Sequence, residues 1–196
     1  MKLTDSKKDQ FRRLARDYGY RSRSAFKLKQ INNSYRILNK GHCVVDIGCA
    51  PGGWIQVALA EVGNKGKVIG VDIKKIEPLK DAFVIQGNIE HEDIINSILK
   101  ISNSHVDVVL SDLSPNVSGN WDLDHARQID LSRNALKLCN RILKKGGKAV
   151  FKVFQGDMLN ELISELKKEF KRVIITKPTA SRQVSSEIYL ICIDKL

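Results

Sequence analysis

The chain has 196 residues, 42% of them apolar and 28% charged, enough to fill the core of one globular domain and too apolar for a disordered chain. No apolar run approaches the ~20 residues that a membrane-spanning helix needs. The opening stretch MKLTDSKKDQ has no signal-peptide apolar segment, so a soluble, cytoplasmic protein is expected and a membrane partner is not. With 33 Lys and Arg against 22 Asp and Glu, the net charge of +11 favours a polyanionic partner, and nucleic acid is the usual one.

Residues 1–40 stand apart in composition. A helix is expected over Asp5–Tyr18, with Phe11, Leu14, Ala15 and Tyr18 at helical spacing and Arg12, Arg13 and Arg16 between them. A second short helix, Ala25–Ile31, carries Lys27 and Lys29 and has Ser22 or Ser24 as a candidate cap. Basic side chains mixed with Tyr18, Tyr20 and Tyr35 suit phosphate contact and base stacking; the competing reading is a solvated amphipathic helix. No linker follows. The segment is therefore expected to pack on the rest, making 1–196 a single domain, with a monomer expected.

From residue 41 strand-like and helix-like runs alternate. The strands are Cys43–Ile47, Lys67–Ile73, Ala82–Gln86, Val106–Ser111, Lys148–Phe154, Arg172–Lys177 and Glu187–Asp194. The helices are Gly53–Val62, His91–Lys100, Asp124–Leu143 and Asp157–Phe170, with a shorter one expected at Ile76–Lys80. Gly63–Gly66 and the Lys-Lys-Gly-Gly run at 144–147 read as turns. This rhythm implies a largely parallel sheet with helices on both faces. No long helix separates the last two strands, so the final one is expected to be antiparallel. The four cysteines (Cys43, Cys49, Cys139, Cys192) form no CxxC; most are read as small core residues, and no metal site is expected.

In an open α/β sheet, ligands bind beyond the carboxyl ends of the strands. The first strand ends at Asp46 and breaks into the turn Gly48-Cys-Ala-Pro-Gly52-Gly53, followed by Trp54 and a helix. Asp72 ends the second strand, where an acid can accept from both hydroxyls of a ribose. The turn is neither G-x-G-x-x-G nor a P-loop, which disfavours a pyrophosphate cradle. A nucleoside cofactor without phosphates fits better, and S-adenosylmethionine is one, its methionine end meeting Asp46 and the turn backbone while Trp54 offers apolar surface. Asn88, after the third strand, can donate to and accept from an adenine edge, and Asp112 projects where the cofactor's reactive end belongs. Lys152 interrupts the apolar run 149–154, a costly place unless it pairs with acids or faces a cleft, and Glu187 is its candidate partner.

SRSAFKL (22–28), VVDIGCAPGGW (44–54), VIGVDI (68–73), SDLSPN (111–116), FKVFQG (151–156) and SSEIYL (185–190) resemble, in order and over nearly the whole chain, the FtsJ/RrmJ family of ribose 2′-O-methyltransferases. The resemblance implies a class I S-adenosylmethionine-dependent methyltransferase fold: α/β, Rossmann-like, with a mostly parallel seven-stranded sheet whose last strand is antiparallel. It implies a catalytic set at Lys27, Asp112, Lys152 and Glu187, and cofactor positions at Gly52, Trp54, Asp72, Asn88 and Asp112, beside Asp46 and Gly48. Position 88 departs from the pattern, since bacterial relatives look to carry Asp there. The activity implied is methylation of an RNA ribose 2′-hydroxyl, at a uridine of large-subunit rRNA. Two alternatives stand beside it: a tRNA anticodon-loop ribose methylase, and a non-catalytic RNA-binding assembly factor. The intact four-residue set speaks against the last.

Overall fold

A computed structural model describes residues 3–182 and 184–196, with side chains from Gln10 onward. Two helices, α1 (Leu3–Asp17) and α2 (Ala25–Tyr35), precede the sheet. Then come β1 (Cys43–Ile47), α3 (Gly53–Val62), β2 (Lys67–Asp72), β3 (Phe83–Gln86), α4 (Glu92–Ser102) and β4 (Val106–Ser111). The chain continues through α5 (Trp121–Ile142), β5 (Leu143–Phe154), α6 (Leu159–Glu169), β6 (Phe170–Thr176) and β7 (Glu187–Lys195). The seven strands form one sheet in the order β3-β2-β1-β4-β5-β7-β6. Every pairing from β3 to β5 is parallel, and β7 runs antiparallel to both β5 and β6. Strand order reverses between β1 and β4, so the crevice for a ligand opens at their carboxyl ends.

Because side chains alternate along a strand, the sheet divides its residues between two cores. Val45, Ile47, Ala149, Phe151, Val153, Leu190 and Cys192 pack with the apolar faces of α4, α5 and α6. Val44, Val108, Leu110, Val150, Tyr189 and Ile191 pack with Leu28 and Ile31 of α2 and with Trp54, Ile55 and Ala58 of α3. The period of two therefore sends Asp46, Lys152, Glu187 and Tyr189 to the α2–α3 face. That placement decides where the site forms. No helix among the described residues is long and apolar enough to cross a membrane, and all four cysteines are buried and free.

Three local expectations change. No helix forms at 76–80; the carbonyls of Glu77 and Pro78 instead accept from the Arg21 guanidinium at 2.6 and 2.8 Å, and Pro78 has no N–H for a helical ladder. The 144–147 run is not a separate turn: β5 begins at Leu143 and absorbs those residues in a register shift opposite Val106/Val108, with Gly146 at φ +74°. Helix α5 begins at Trp121 rather than Asp124, because Asn120 Oδ1 accepts from Leu123 N at 3.2 Å and caps it. At the N-terminus, Phe26 gathers the rings of Phe11, Tyr18 and Tyr20 at 5.6, 6.2 and 5.5 Å, so those aromatics fasten α1 to α2 as well as lining a basic surface.

Candidate active site

After β1 the backbone turns at Gly48 (φ +72°), whose N–H donates to Val71 O at 2.9 Å, and enters α3 through Gly52 (φ +110°). Both conformations favour glycine, and there is no room for more: a Cβ on Gly48 would come within 2.9 Å of the Leu113 side chain, and one on Gly53 within 2.2 Å of Ser22 Oγ. The basic N-terminal segment is sewn onto this turn. Arg21 donates to Pro51 O at 3.3 Å as well as to the 77–78 carbonyls, Arg21 N donates to Gln56 Oε1 at 2.8 Å, and Gln56 Nε2 donates to Gly19 O at 2.9 Å. Trp54 is 2% exposed, its indole N–H donating to Ser24 O at 2.9 Å. This corrects the expectation of an open apolar surface at Trp54: its ring sits in the core 5.9 Å from that of Tyr189.

Asp72 is half-buried and ties β2 to the turn, accepting from Ala50 N at 2.9 Å and from Lys74 N at 2.8 Å through different oxygens. Each oxygen keeps a lone pair. Asn88 is engaged locally, its Oδ1 accepting from Glu90 N at 3.1 Å and its Nδ2 donating to Glu90 Oε2 at 3.3 Å. Asp46 is 0% exposed, and neither carboxyl oxygen has a partner among the described residues. Burial first, then the nearby Asp112 and Asp72, push its carboxyl well above the ordinary range. As placed, Asp46 underlies the turn rather than lining an open cleft. A glycine turn with no space for a side chain, an acid with free lone pairs at the end of β2 and an orphaned buried carboxyl together fit a nucleoside cofactor without a pyrophosphate.

Beside the turn, four elements converge. Lys27 comes from α2, Asp112 from the residue after β4, Lys152 from β5 and Glu187 from the start of β7. Both lysines are 7% exposed. Lys27 Nζ lies 2.5 Å from Glu187 Oε1; Lys152 Nζ lies 3.2 Å from Asp112 Oδ1 and donates to Asp112 O at 2.8 Å. The expected Lys152–Glu187 contact is replaced by these two pairs, because α2 brings Lys27 over the start of β7. Tyr189 joins them. It sits opposite Lys152 in the β5–β7 register, and its hydroxyl lies 3.1 Å from Glu187 Oε1 and 3.4 Å from Asp112 Oδ1.

The charges explain each other. Burial alone would raise the Glu187 carboxyl, but Lys27 by charge and hydrogen bond, then Lys152 and the Ser181 hydroxyl at 2.9 Å, hold it below its ordinary range. Burial, then Asp112 and Glu187, push the Tyr189 phenol well above its ordinary range, so it stays a donor. Gln128, fully buried, ties the loop after β4 to β5 by donating to Leu113 O at 3.3 Å and Lys152 O at 2.9 Å. The sequence reading did not single out Tyr189, Ser181, Gln128 or Arg21. Tyr189 had a signal: it lies two residues beyond Glu187 on one strand, hence on the same face.

Around the cluster, Arg23 and Arg182 stand close enough that, after burial, the Arg182 charge is the main cause lowering Arg23, with Glu187 opposing it. Two like charges beside a catalytic cluster suit a phosphate. Lys144 and Lys148, by contrast, are engaged, the first with Asp107 and the second with Arg36 O at 2.7 Å.

Sheets of this order, with one reversed strand beside the edge and a ligand turn after β1, are built by Rossmann-like methyltransferases, and this chain is of that class. The FtsJ-like methyltransferase model matches residues 20–195. Ribosomal RNA large subunit methyltransferase E of Nitrosopumilus maritimus is 47% identical over 98% of this chain and 98% of its own length. Its counterpart in Methanothrix thermoacetophila is 51% identical over 96% of this chain and 73% of its own. A crystal structure described as a ribosomal RNA methyltransferase from Plasmodium falciparum superposes with a TM-score of 0.82 at 34% identity, covering 90% of this chain and 99% of that one. The chain belongs to the FtsJ-like methyltransferase family.

Proposed function

We propose that this protein transfers a methyl group from S-adenosylmethionine to a ribose 2′-hydroxyl of RNA, and that its substrate is a uridine of large-subunit rRNA. The observation that carries the reading is the pairing of Lys27 with Glu187 and Lys152 with Asp112 at the edge of the glycine turn. The ribosomal substrate is supported by the names of the relatives, which are ribosomal RNA large subunit methyltransferases. Gly48, Gly52, the backbone at Trp54, Asp72 and Asn88 would hold the cofactor, with Asp46 beneath them.

S-adenosylmethionine supplies a methyl already activated by sulfonium charge, so alignment accounts for much of the acceleration. Lys152 is the group that meets the 2′-hydroxyl. Anchored by two oxygens of Asp112, its amine turns an oxygen lone pair of the hydroxyl toward the methyl, and in its neutral form takes the hydroxyl proton. Lys27, neutralised by Glu187, closes the cluster from the α2 side and brings the basic N-terminal segment to the substrate's phosphates. Arg23 and Arg182 add charge at that entrance.

The test mixes the protein with labelled S-adenosylmethionine and separated rRNA, tRNA and large ribosomal subunits. Label in large-subunit rRNA, mapped to a ribose, is expected; label on a base or in tRNA alone overturns the assignment. RNA affinity should also fall steeply with added salt, and an affinity insensitive to ionic strength would count against an RNA substrate.

A further inference from the structure

The loop after β4 leads into α5 through a joint with more order than an exposed connector requires. Asp124, buried, accepts from Ser118 N at 2.8 and 3.0 Å, from Ser118 Oγ at 2.8 Å and from Gly119 N at 3.1 Å. Together with the Asn120 cap this fixes the first turn of α5, and so fixes Trp121. The indole lies nearly parallel to the ring of His125, with centroids 5.7 Å apart and planes 11° apart, and against Phe154 at 6.0 Å and 29°. His125 is immobilised in turn: it is buried, its Nε2 accepts from Met158 N at 3.2 Å, and a Cβ on Gly156 would come within 2.7 Å of its ring. Yet Trp121 remains 47% exposed.

A large aromatic held rigid and left open to water forgoes burial that the core would reward. Its position says what it is for. Phe154, on which it rests, is two residues beyond Lys152 on β5 and is the register partner of Glu187. The indole therefore stands at the rim of the catalytic cluster on the α5 side, while Arg23, just before α2, lies within reach of the charges of Arg182 and Glu187. Resting on the RNA-methylation reading, we propose that Trp121 is a stacking platform for a nucleobase of the RNA substrate next to the methylated ribose. A ribose hydroxyl in a paired helix is hard to present in line, and a flanking base stacked on a preset ring holds the strand open and in register. Every base offers a π-face, so this contact positions the strand without reading its sequence. The arginines take the phosphates, and the indole takes a base.

The experiment compares the full-length protein with Trp121→Ala, Trp121→Leu and Trp121→Phe. Affinity is measured for a labelled oligouridylate and for an abasic ribose-phosphate oligomer of the same length. The wild type should bind the base-bearing oligomer about tenfold more tightly, within the range that base–aromatic stacking supplies. Trp121→Ala and Trp121→Leu should lose that preference while keeping S-adenosylmethionine affinity and the salt dependence of binding; Trp121→Phe should keep most of it. If Trp121→Ala fails to fold, Trp121→Leu, which keeps apolar bulk on His125 and Phe154, decides the matter. A leucine variant that still prefers bases, or a wild type that methylates RNA without preferring them, overturns the platform and leaves the catalytic reading standing. A wild type that neither binds nor methylates RNA overturns both.

Discussion

The two lysines of the cluster are buried alike but held differently. Lys27 is locked: its partner Glu187 also accepts from Ser181 and lies within reach of Tyr189. Lys152 is held more loosely, by one side-chain oxygen at 3.2 Å and one backbone oxygen. A lysine whose acid is saturated by other donors builds a wall, whereas one held by a carbonyl and a longer ion pair keeps a direction free for a substrate. The contrast predicts that Lys152 carries the chemistry and Lys27 the architecture.

Removing Lys152 breaks this comparison most severely. Lys152→Ala should lower kcat by about 10²–10⁴-fold, the usual worth of a positioned acid–base group, while S-adenosylmethionine affinity survives. Single-turnover methyl transfer and calorimetric cofactor binding check it, and equal loss of both would remove Lys152 from the role.

Lys27→Ala should show the opposite balance. It leaves the Glu187 carboxylate buried without its cation, a change that destabilises by about 3–5 kcal/mol at a fully buried pair and less at this partly open rim. The rate loss should be smaller than for Lys152→Ala and the melting temperature lower. Combining Lys27→Met with Glu187→Gln, which removes both charges together, should restore much of the stability and little of the activity. A single variant that melts like the wild type would make Lys27 no wall.

Acid sharpens the same distinction. Glu187 is held below its ordinary value of 4.5 by Lys27, so its folded value lies under its unfolded one. The stability it contributes is then fully present above the ordinary value and is lost as pH falls through the depressed folded value. Thermal unfolding followed below about pH 4.5 should show this loss in the wild type and a shallower one in Glu187→Gln. Parallel curves would show that the pair does not couple to folding.

These differences also explain what could be read from sequence. The turn at Gly48–Gly53 was legible because one short stretch contains the strand, the glycines and the helix start, and its chemistry is local. Lys152 announced itself as a charge in an apolar strand. Its true partner was hidden, because the choice between Glu187 and Asp112 depends on how α2 lies across β7, a contact between residues 160 apart in the chain. The family resemblance supplied Lys27, which no periodicity marks. The Ser24 contact that turns Trp54 inward and the Arg21 clasp that replaces a helix at 76–80 arise from tertiary packing of the N-terminal segment. The sealed position of Asp46 arises from its place in β1 between β2 and β4. No local pattern encodes them.

The smallest expected effect falls on the residue that joins the two pairs. The Tyr189 hydroxyl has one proton to offer and two carboxylates to offer it to, at 3.1 and 3.4 Å. Neither distance is short for an O–H donor, so the bond it makes belongs at the weak end of those to charged groups, about 1.5 kcal/mol. Tyr189→Phe keeps the ring against Trp54 and in register with Lys152, removing only that bond. It should therefore lower the single-turnover rate by roughly tenfold or less, with cofactor affinity and acid stability close to wild type. The direction is fixed by which acid loses more: Glu187 retains Lys27 and Ser181, whereas among the described residues the Asp112 carboxylate retains only Lys152, so the loss should be felt through Lys152. A deficit as large as that of Lys152→Ala would reverse the assignment and make the tyrosine hydroxyl the group that meets the ribose.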